Sequence, residues 1–202
     1  MSSPWIKICG LRDAATVAHC LALQVDAVGF VFAPSVRQVS IAEALRLADM
    51  ARGRAQVVAV LRGASPHMEQ IIKEFDPDLL QIDQTAIDAN ARPMPRGWLP
   101  VFRDGEGLPD RLPDRVLFEG RESGVGQTAN WREAASLAHK TRLVLAGGLT
   151  PDNVVDAITQ VRPYGVDVSS GVERERGIKC PAKIKDFVMA VRATASAARE
   201  CG

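Results

Sequence analysis

Short apolar runs alternate along the whole chain with segments that have helical spacing of apolar residues. Eight such runs predict β-strands, at residues 5–9, 27–32, 56–61, 79–82, 99–102, 116–118, 143–146 and 166–168. Runs that are apolar at nearly every position are typical of parallel strands covered on both faces. The alternation with helical segments therefore predicts a series of βαβ units.

Residues that favour the start of a helix follow most of these strands. Asp, Ser and Thr side chains cap the free N–H groups of a first helical turn, and Pro fits its first position. The predicted helix starts are Asp13, Ser40 with Glu43 as a capping box, Ser65 with Pro66, Trp131, Thr150 with Pro151, and Pro181.

The expected fold is an α/β fold, a single (β/α)₈ TIM barrel domain over residues 1–202 with the fifth helix reduced or missing. Residues 84–95 form at most a short helix, and the connection after the fifth strand contains Gly105, Gly107 and Pro109. A barrel of this class usually needs about 250 residues, so a lost helix explains how eight strands fit into a shorter chain. A doubly wound open sheet is the alternative.

Composition narrows the functional classes. Lys and Arg number 25 against 24 Asp and Glu, and the absence of a basic block argues against nucleic-acid binding. The four Cys and three His have no zinc-site spacing, so we expect no metal. No apolar stretch is long enough to cross a membrane, and unpaired thiols without an export signal favour a reducing cytoplasm.

Catalytic and binding residues of such barrels lie at the carboxyl ends of the strands, and phosphate groups usually bind at the loops after strands seven and eight. Here these loops contain glycines and hydroxyls whose backbone can approach a ligand closely: Gly147, Gly148, Ser169, Ser170 and Gly171. We expect residues 172–176 to add a helical turn whose N–H groups face the phosphate. The alternative is that these glycines only form tight turns.

Three further side chains follow strand ends. Cys9 could act as a base if its surroundings favour the thiolate, or it could be an ordinary buried cysteine. Glu119 could donate a proton at the barrel mouth, or it could be an exposed loop carboxylate. Arg37 could bind a substrate carboxylate, or it could be a solvated surface arginine.

The motifs together resemble one enzyme family. Residues 7–10 (Lys-Ile-Cys-Gly), 27–32, 35–40, 145–149 and 164–173 resemble, in order and spacing, phosphoribosylanthranilate isomerases of tryptophan biosynthesis. The resemblance implies an Amadori rearrangement of N-(5-phosphoribosyl)anthranilate to 1-(2-carboxyphenylamino)-1-deoxyribulose 5-phosphate. It implies general acid-base catalysis on a small phosphorylated substrate, without metal or cofactor, by a monomer or a homodimer.

The same resemblance assigns roles to residues. Cys9 becomes the general base at ribose C2, and Arg37 meets the anthranilate carboxylate. Gln81 and Asp167 bind substrate, and the glycines and serines of the last two loops bind its phosphate.

Two positions depart from the family pattern. Glu119 aligns with an aspartate that acts as the general acid, and its carboxyl sits one methylene farther from the backbone. Asp83 stands where the family usually has a histidine after Gln81. These departures leave open a barrel that binds a phosphosugar without turnover, and another phosphate-binding barrel isomerase or lyase remains a further alternative.

Overall fold

Eight parallel strands form a closed barrel in sequence order in the computed structural model. The strands are β1 (Trp5–Cys9), β2 (Ala27–Val31), β3 (Gln56–Val60), β4 (Leu79–Asp83), β5 (Trp98–Arg103), β6 (Arg115–Glu119), β7 (Arg142–Leu145) and β8 (Gly165–Val168). The structure describes residues 3–63, 68–86, 97–121 and 128–200, with side chains up to residue 195. The closed order confirms the barrel and excludes the open sheet.

Six α-helices accompany the strands within the residues that the structure describes. They are α1 (Ala14–Ala22), α2 (Ile41–Asp49), α3 (Met68–Phe75), α4 (Trp131–Ala138), α5 (Val154–Val161) and α6 (Pro181–Glu200). Residues 104–114, which join β5 to β6, contain no helix, so the expected loss of the fifth helix is confirmed. A short 3₁₀ helix, Gln84–Ala86, follows β4, and the rest of the predicted short helix lies outside the described residues.

The chain forms two compact units. The N-terminal unit is Ile8–Val101, and the C-terminal unit is Met1–Lys7 together with Phe102–Gly202. In the N-terminal unit, β2 pairs with β3 over five residues, and the rings of Phe30 and Phe32 both contact Phe75 of α3 edge to face. Such aromatic contacts bury large apolar surface and fix α3 against the sheet.

The C-terminal unit is built on β6, β7 and β8. β6 pairs with β7 from Arg115–Arg142 to Phe118–Leu145, and β7 pairs with β8. The apolar side of α6 is fully buried at Ile184, Phe187 and Val191. The pairings of β6, β7 and β8 set how far the carboxyl ends of these three strands extend relative to one another.

Two of the predicted helix starts are confirmed by hydrogen bonds. Asp13 accepts the Thr16 N–H at 2.8 Å, and Ser40 and Glu43 form a reciprocal capping box. The backbone hydrogen bond from Ser40 lowers the pKa of the Glu43 carboxyl. Pro181 opens α6 as expected, whereas Ser65 and Pro66 lie outside the described residues.

Two expectations about local structure are wrong. α5 begins at Val154 rather than at Thr150, because residues 151–153 form a turn ahead of it. In this turn the Thr150 carbonyl accepts the Asn153 and Val154 N–H groups, and Asn153 Oδ1 accepts the Thr150 N–H. Residues 172–176 do not add a helical turn. Ser170–Val172 forms a 3₁₀ helix, and a hairpin of β9 (Glu173–Glu175) and β10 (Ile178–Lys179) follows it. No helix in the described part of the chain is both long and apolar enough to span a membrane.

Candidate active site

The loop after β7 depends on its two glycines. Gly147 and Gly148 have φ angles of 82° and 62°, a region that L side chains rarely adopt. The Asn153 side chain holds this loop, since its Nδ2 donates to the Gly148 carbonyl at 2.9 Å and its Oδ1 accepts the Thr150 N–H at 2.8 Å. Both glycines keep part of their surface exposed, so their backbone is accessible to a ligand.

The loop after β8 packs directly on the loop after β7. A Cβ placed on Gly171 would lie 1.8 Å from the Leu149 carbonyl oxygen, so only glycine fits there. From the sequence, Gly171 is expected to allow a ligand to approach closely, but in the structure it allows the close approach of the loop after β7. Ser169, Ser170 and Gly171 are half-buried, and the structure brings this segment beside Leu149 and Thr150.

A buried lysine that was not predicted from the sequence supports the loop after β8 on its interior side. Lys179 Nζ donates to the Ser169 carbonyl oxygen at 2.9 Å, to Ser169 Oγ at 3.2 Å and to Glu173 Oε1 at 2.9 Å. Glu173 Oε2 accepts the Gly177 N–H, which closes the hairpin turn. Strands as short as β9 and β10 leave no periodic signal in the sequence from which this lysine could have been found.

Glu119 is the last residue of β6 and is buried, so the alternative of an exposed loop carboxylate is wrong. Its Oε1 lies 3.1 Å from Nη2 of Arg103, the last residue of β5. Arg103 also approaches Glu106, at 3.9 Å. A guanidinium favours the ionised form of a neighbouring carboxylate, whereas burial favours the protonated form. The proton affinity of Glu119 therefore depends on where Arg103 lies.

Asp167 of β8 forms a buried ion pair with Lys7 of β1. Lys7 Nζ donates to Asp167 Oδ1 at 2.9 Å, and Lys7 is fully buried while Asp167 is 7% exposed. A buried lysine is tolerated where its charge is paired in this way. The pair fixes the Asp167 carboxylate in one orientation, and sequence analysis did not foresee its partner.

Cys9 lies in the N-terminal unit, at the end of β1. The residues after it are tied to β2, since Gly10 and Leu11 both donate their N–H groups to the Gly29 carbonyl. Gly10 has a φ of 76°, so the chain turns sharply just beyond the thiol. Cys9 is buried, and it is not in a disulfide.

Arg37 lies in the loop after β2 and is 7% exposed, so the alternative of a solvated surface arginine is wrong. The Ser35 hydroxyl accepts the Arg37 N–H at 3.0 Å, and Val39 donates to the Val31 carbonyl. The loop thus returns to the end of β2 with Arg37 at its turn.

Gln81 of β4 is also 7% exposed, and among the described residues its Oε1 has no hydrogen-bond partner. A buried acceptor left unsatisfied is costly, which marks Gln81 as a candidate for contact with a ligand. Asp83, two residues on, accepts the Gly63 N–H at 3.1 Å and so supports the loop after β3.

A family model described as N-(5'-phosphoribosyl)anthranilate isomerase matches residues 6–190. A protein of that name from Roseiflexus castenholzii is 39% identical, with 94% of this chain and 99% of that protein covered. Another, from Rhodopseudomonas palustris, is 38% identical, with 94% of this chain and 96% of that protein covered.

Solved structures agree with these relatives. TrpF from Jonesia denitrificans superimposes with a TM-score of 0.79 at 34% identity, over 96% of this chain and 98% of that one. A phosphoribosyl anthranilate isomerase in complex with reduced 1-(o-carboxyphenylamino)-1-deoxyribulose 5-phosphate superimposes with a TM-score of 0.72. Its identity to this chain is 24%, over 94% of this chain and 99% of that chain, so that likeness shows the fold alone.

Proposed function

The chain belongs to the N-(5'-phosphoribosyl)anthranilate isomerase family and is an isomerase of tryptophan biosynthesis, and we propose that Cys9 and Glu119 are its general base and general acid. The observation that carries the activity is the family match over residues 6–190. The residue assignments rest on the family motifs and on the position of each side chain at a strand end.

The proposed reaction moves two protons. Glu119 donates a proton to the furanose ring oxygen while the nitrogen lone pair breaks the bond from that oxygen to C1, which gives the ring-opened, N-protonated imine (iminium). The Cys9 thiolate then removes the proton from C2, and the electron pair moves through the C1–C2 bond to the nitrogen. The resulting enolamine tautomerises to the ketone. Both groups exchange protons in ordinary acid-base steps, for which side chains at strand ends are well suited.

The substrate phosphate is proposed to bind Gly147, Gly148, Ser169, Ser170 and Gly171. Support comes from the positive φ angles of the first two glycines and from the close packing of the two loops. Backbone N–H groups and hydroxyls in such loops are the usual phosphate ligands of barrels.

Three other side chains complete the proposed site. The buried guanidinium of Arg37 would bind the anthranilate carboxylate, for which its fork of donors is suited. Gln81 Oε1 would accept a hydrogen bond from a donor of the substrate, and the oriented Asp167 carboxylate would accept one from a hydroxyl.

We extend the proposal to the whole protein. The ligand is a small phosphorylated molecule, catalysis needs no metal or cofactor, and the protein acts in the cytoplasm as a monomer or a homodimer. Residues 1–202 are proposed to form a single domain, which the closed order of the eight strands supports.

The test is a turnover assay on N-(5'-phosphoribosyl)anthranilate, followed by the loss of its anthranilate-type fluorescence. Wild type is expected to turn over, and Cys9→Ala and Glu119→Gln are each expected to lose most of kcat while binding product nearly as well. Cys20→Ala is a matched control, since Cys20 is a buried cysteine of α1 that is not in a disulfide. Full activity of Glu119→Gln would remove Glu119 as the acid. Binding without turnover by wild type would contradict the activity.

A further inference from the structure

We propose that Lys179 is a positioning residue for the substrate phosphate, acting through Ser169. This inference rests on the proposed phosphate site and extends it to a residue outside the two loops. Lys179 lies on β10, ten positions beyond Ser169, and its side chain is 2% exposed. It thus holds the loop from the protein interior and leaves the outer side of the loop to the ligand.

The three contacts of the Lys179 ammonium match its capacity. An ammonium has three N–H donors, and the acceptors are the Ser169 carbonyl, Ser169 Oγ and Glu173 Oε1. Two of the three contacts go to one residue, so both the backbone and the side chain of Ser169 are fixed by a single group. Hydrogen bonds from a charged donor are stronger than those from a neutral one, which suits this holding role.

The contact with Ser169 Oγ also sets the direction of the hydroxyl. An oxygen that accepts a hydrogen bond from a cation directs its own hydrogen away from that cation. The contact therefore leaves the Ser169 hydroxyl to act as a donor in a direction away from Lys179, and a donor is what a phosphate oxygen requires.

Glu173 keeps this arrangement in place. Its carboxylate is 4% exposed, and it accepts from both Lys179 and the Gly177 N–H, so the hairpin, the lysine and the loop form one hydrogen-bonded group. A buried ion pair seldom stabilises a fold more than packed apolar side chains would. This ion pair holds Ser169 in place through hydrogen bonds, which apolar residues could not do.

The test compares Lys179→Met with Lys183→Met in the turnover assay. Lys183 is a matched control because its Nζ donates to the Glu173 carbonyl oxygen and is not bonded to Ser169. Lys179→Met is expected to raise KM and to weaken inhibition by inorganic phosphate about tenfold, with kcat within about twofold of wild type. Inhibition by anthranilate, which has no phosphate, is expected to stay unchanged. Lys183→Met is expected to leave all four values unchanged.

Further variants separate positioning from loss of structure. Lys179→Met leaves the Glu173 charge unpaired, so Lys179→Met/Glu173→Gln is measured beside it and is expected to show the same selective loss of phosphate inhibition. Lys179→Arg keeps the charge and is expected to recover part of that inhibition. In a Ser169→Ala background, which lacks the hydroxyl contact, the effect of Lys179→Met should shrink.

The outcomes distinguish the two proposals. If wild type turns over and phosphate inhibits it, but folded Lys179→Met and the double variant are inhibited equally well, the role of Lys179 is wrong and the phosphate site stands. If Lys179→Met weakens inhibition by phosphate and by anthranilate equally, the role of Lys179 is also contradicted, because an equal loss indicates general disruption of the site. If phosphate does not inhibit wild type, the phosphate site fails and the role of Lys179 fails with it.

Discussion

At the scale of single residues, the pairing of Glu119 with Arg103 has a consequence for pH dependence. Loss of the Arg103 cation removes a charge that favours the ionised carboxylate 3.1 Å away. If Glu119 is the general acid, it should then keep its proton to higher pH. We predict that Arg103→Met moves the alkaline fall of kcat/KM to higher pH.

The matched control for this experiment is Arg111→Met, because Arg111 lies on the same connection between β5 and β6 and is exposed. It should leave the pH profile unchanged. An unshifted profile in folded Arg103→Met would mean that Glu119 is not the group whose proton limits the reaction at high pH.

At the scale of elements, the contact between the loops after β7 and β8 depends on Gly171. Its substitution by Ala would place a methyl group against the Leu149 carbonyl, so the two loops must separate. We predict that Gly171→Ala lowers the free energy of unfolding by about 1–3 kcal/mol. It should also raise KM, because the proposed phosphate ligands lie on the loops that move. Urea unfolding and the turnover assay measure the two effects.

Gly107→Ala is the control variant. A Cβ at Gly107 would meet nothing within 4 Å, and its φ is not in the positive range that favours glycine. It should change stability by less than about 0.5 kcal/mol. Equal destabilisation by the two substitutions would show that the packing of Gly171 on Leu149 is not what the Ala disturbs.

The elements themselves were largely predictable from the sequence. All eight strands lie where apolar runs indicated them, because strands buried on both faces leave a strong signal. α5 begins later than predicted because residues 151–153 form a turn ahead of it, and such a turn is not visible in apolar spacing. The β9–β10 hairpin was missed because strands this short carry no periodic signal.

The site was predictable only in part. Strand-end positions identified Glu119 and the glycines, but their partners come from other segments of the chain. Arg103 could have been found, because β5 and β6 follow each other in the predicted order and end in opposite charges. Lys179 could not, since its bond to Ser169 depends on a hairpin that the sequence did not reveal.

At the scale of the whole molecule, the boundaries of the two compact units do not fall in loops. Their boundaries fall between Lys7 and Ile8 and between Val101 and Phe102, which lie inside β1 and β5. A boundary inside a strand leaves neither unit with that strand whole, and a sheet opened there would expose unpaired edges. The units should therefore unfold together.

Tryptophan positions allow a direct measurement of this cooperativity. Trp98 lies in the N-terminal unit, and Trp5 and Trp131 lie in the C-terminal unit. We predict that a variant with Trp98 alone and a variant with Trp98→Phe each give one urea transition. Within each variant, the transitions followed by fluorescence and by far-UV circular dichroism should have the same midpoint. Because both midpoints are measured on the same variant, any effect of the substitution on stability does not alter the comparison. Separate midpoints within either variant would mean that one unit unfolds before the other, and would contradict the single domain.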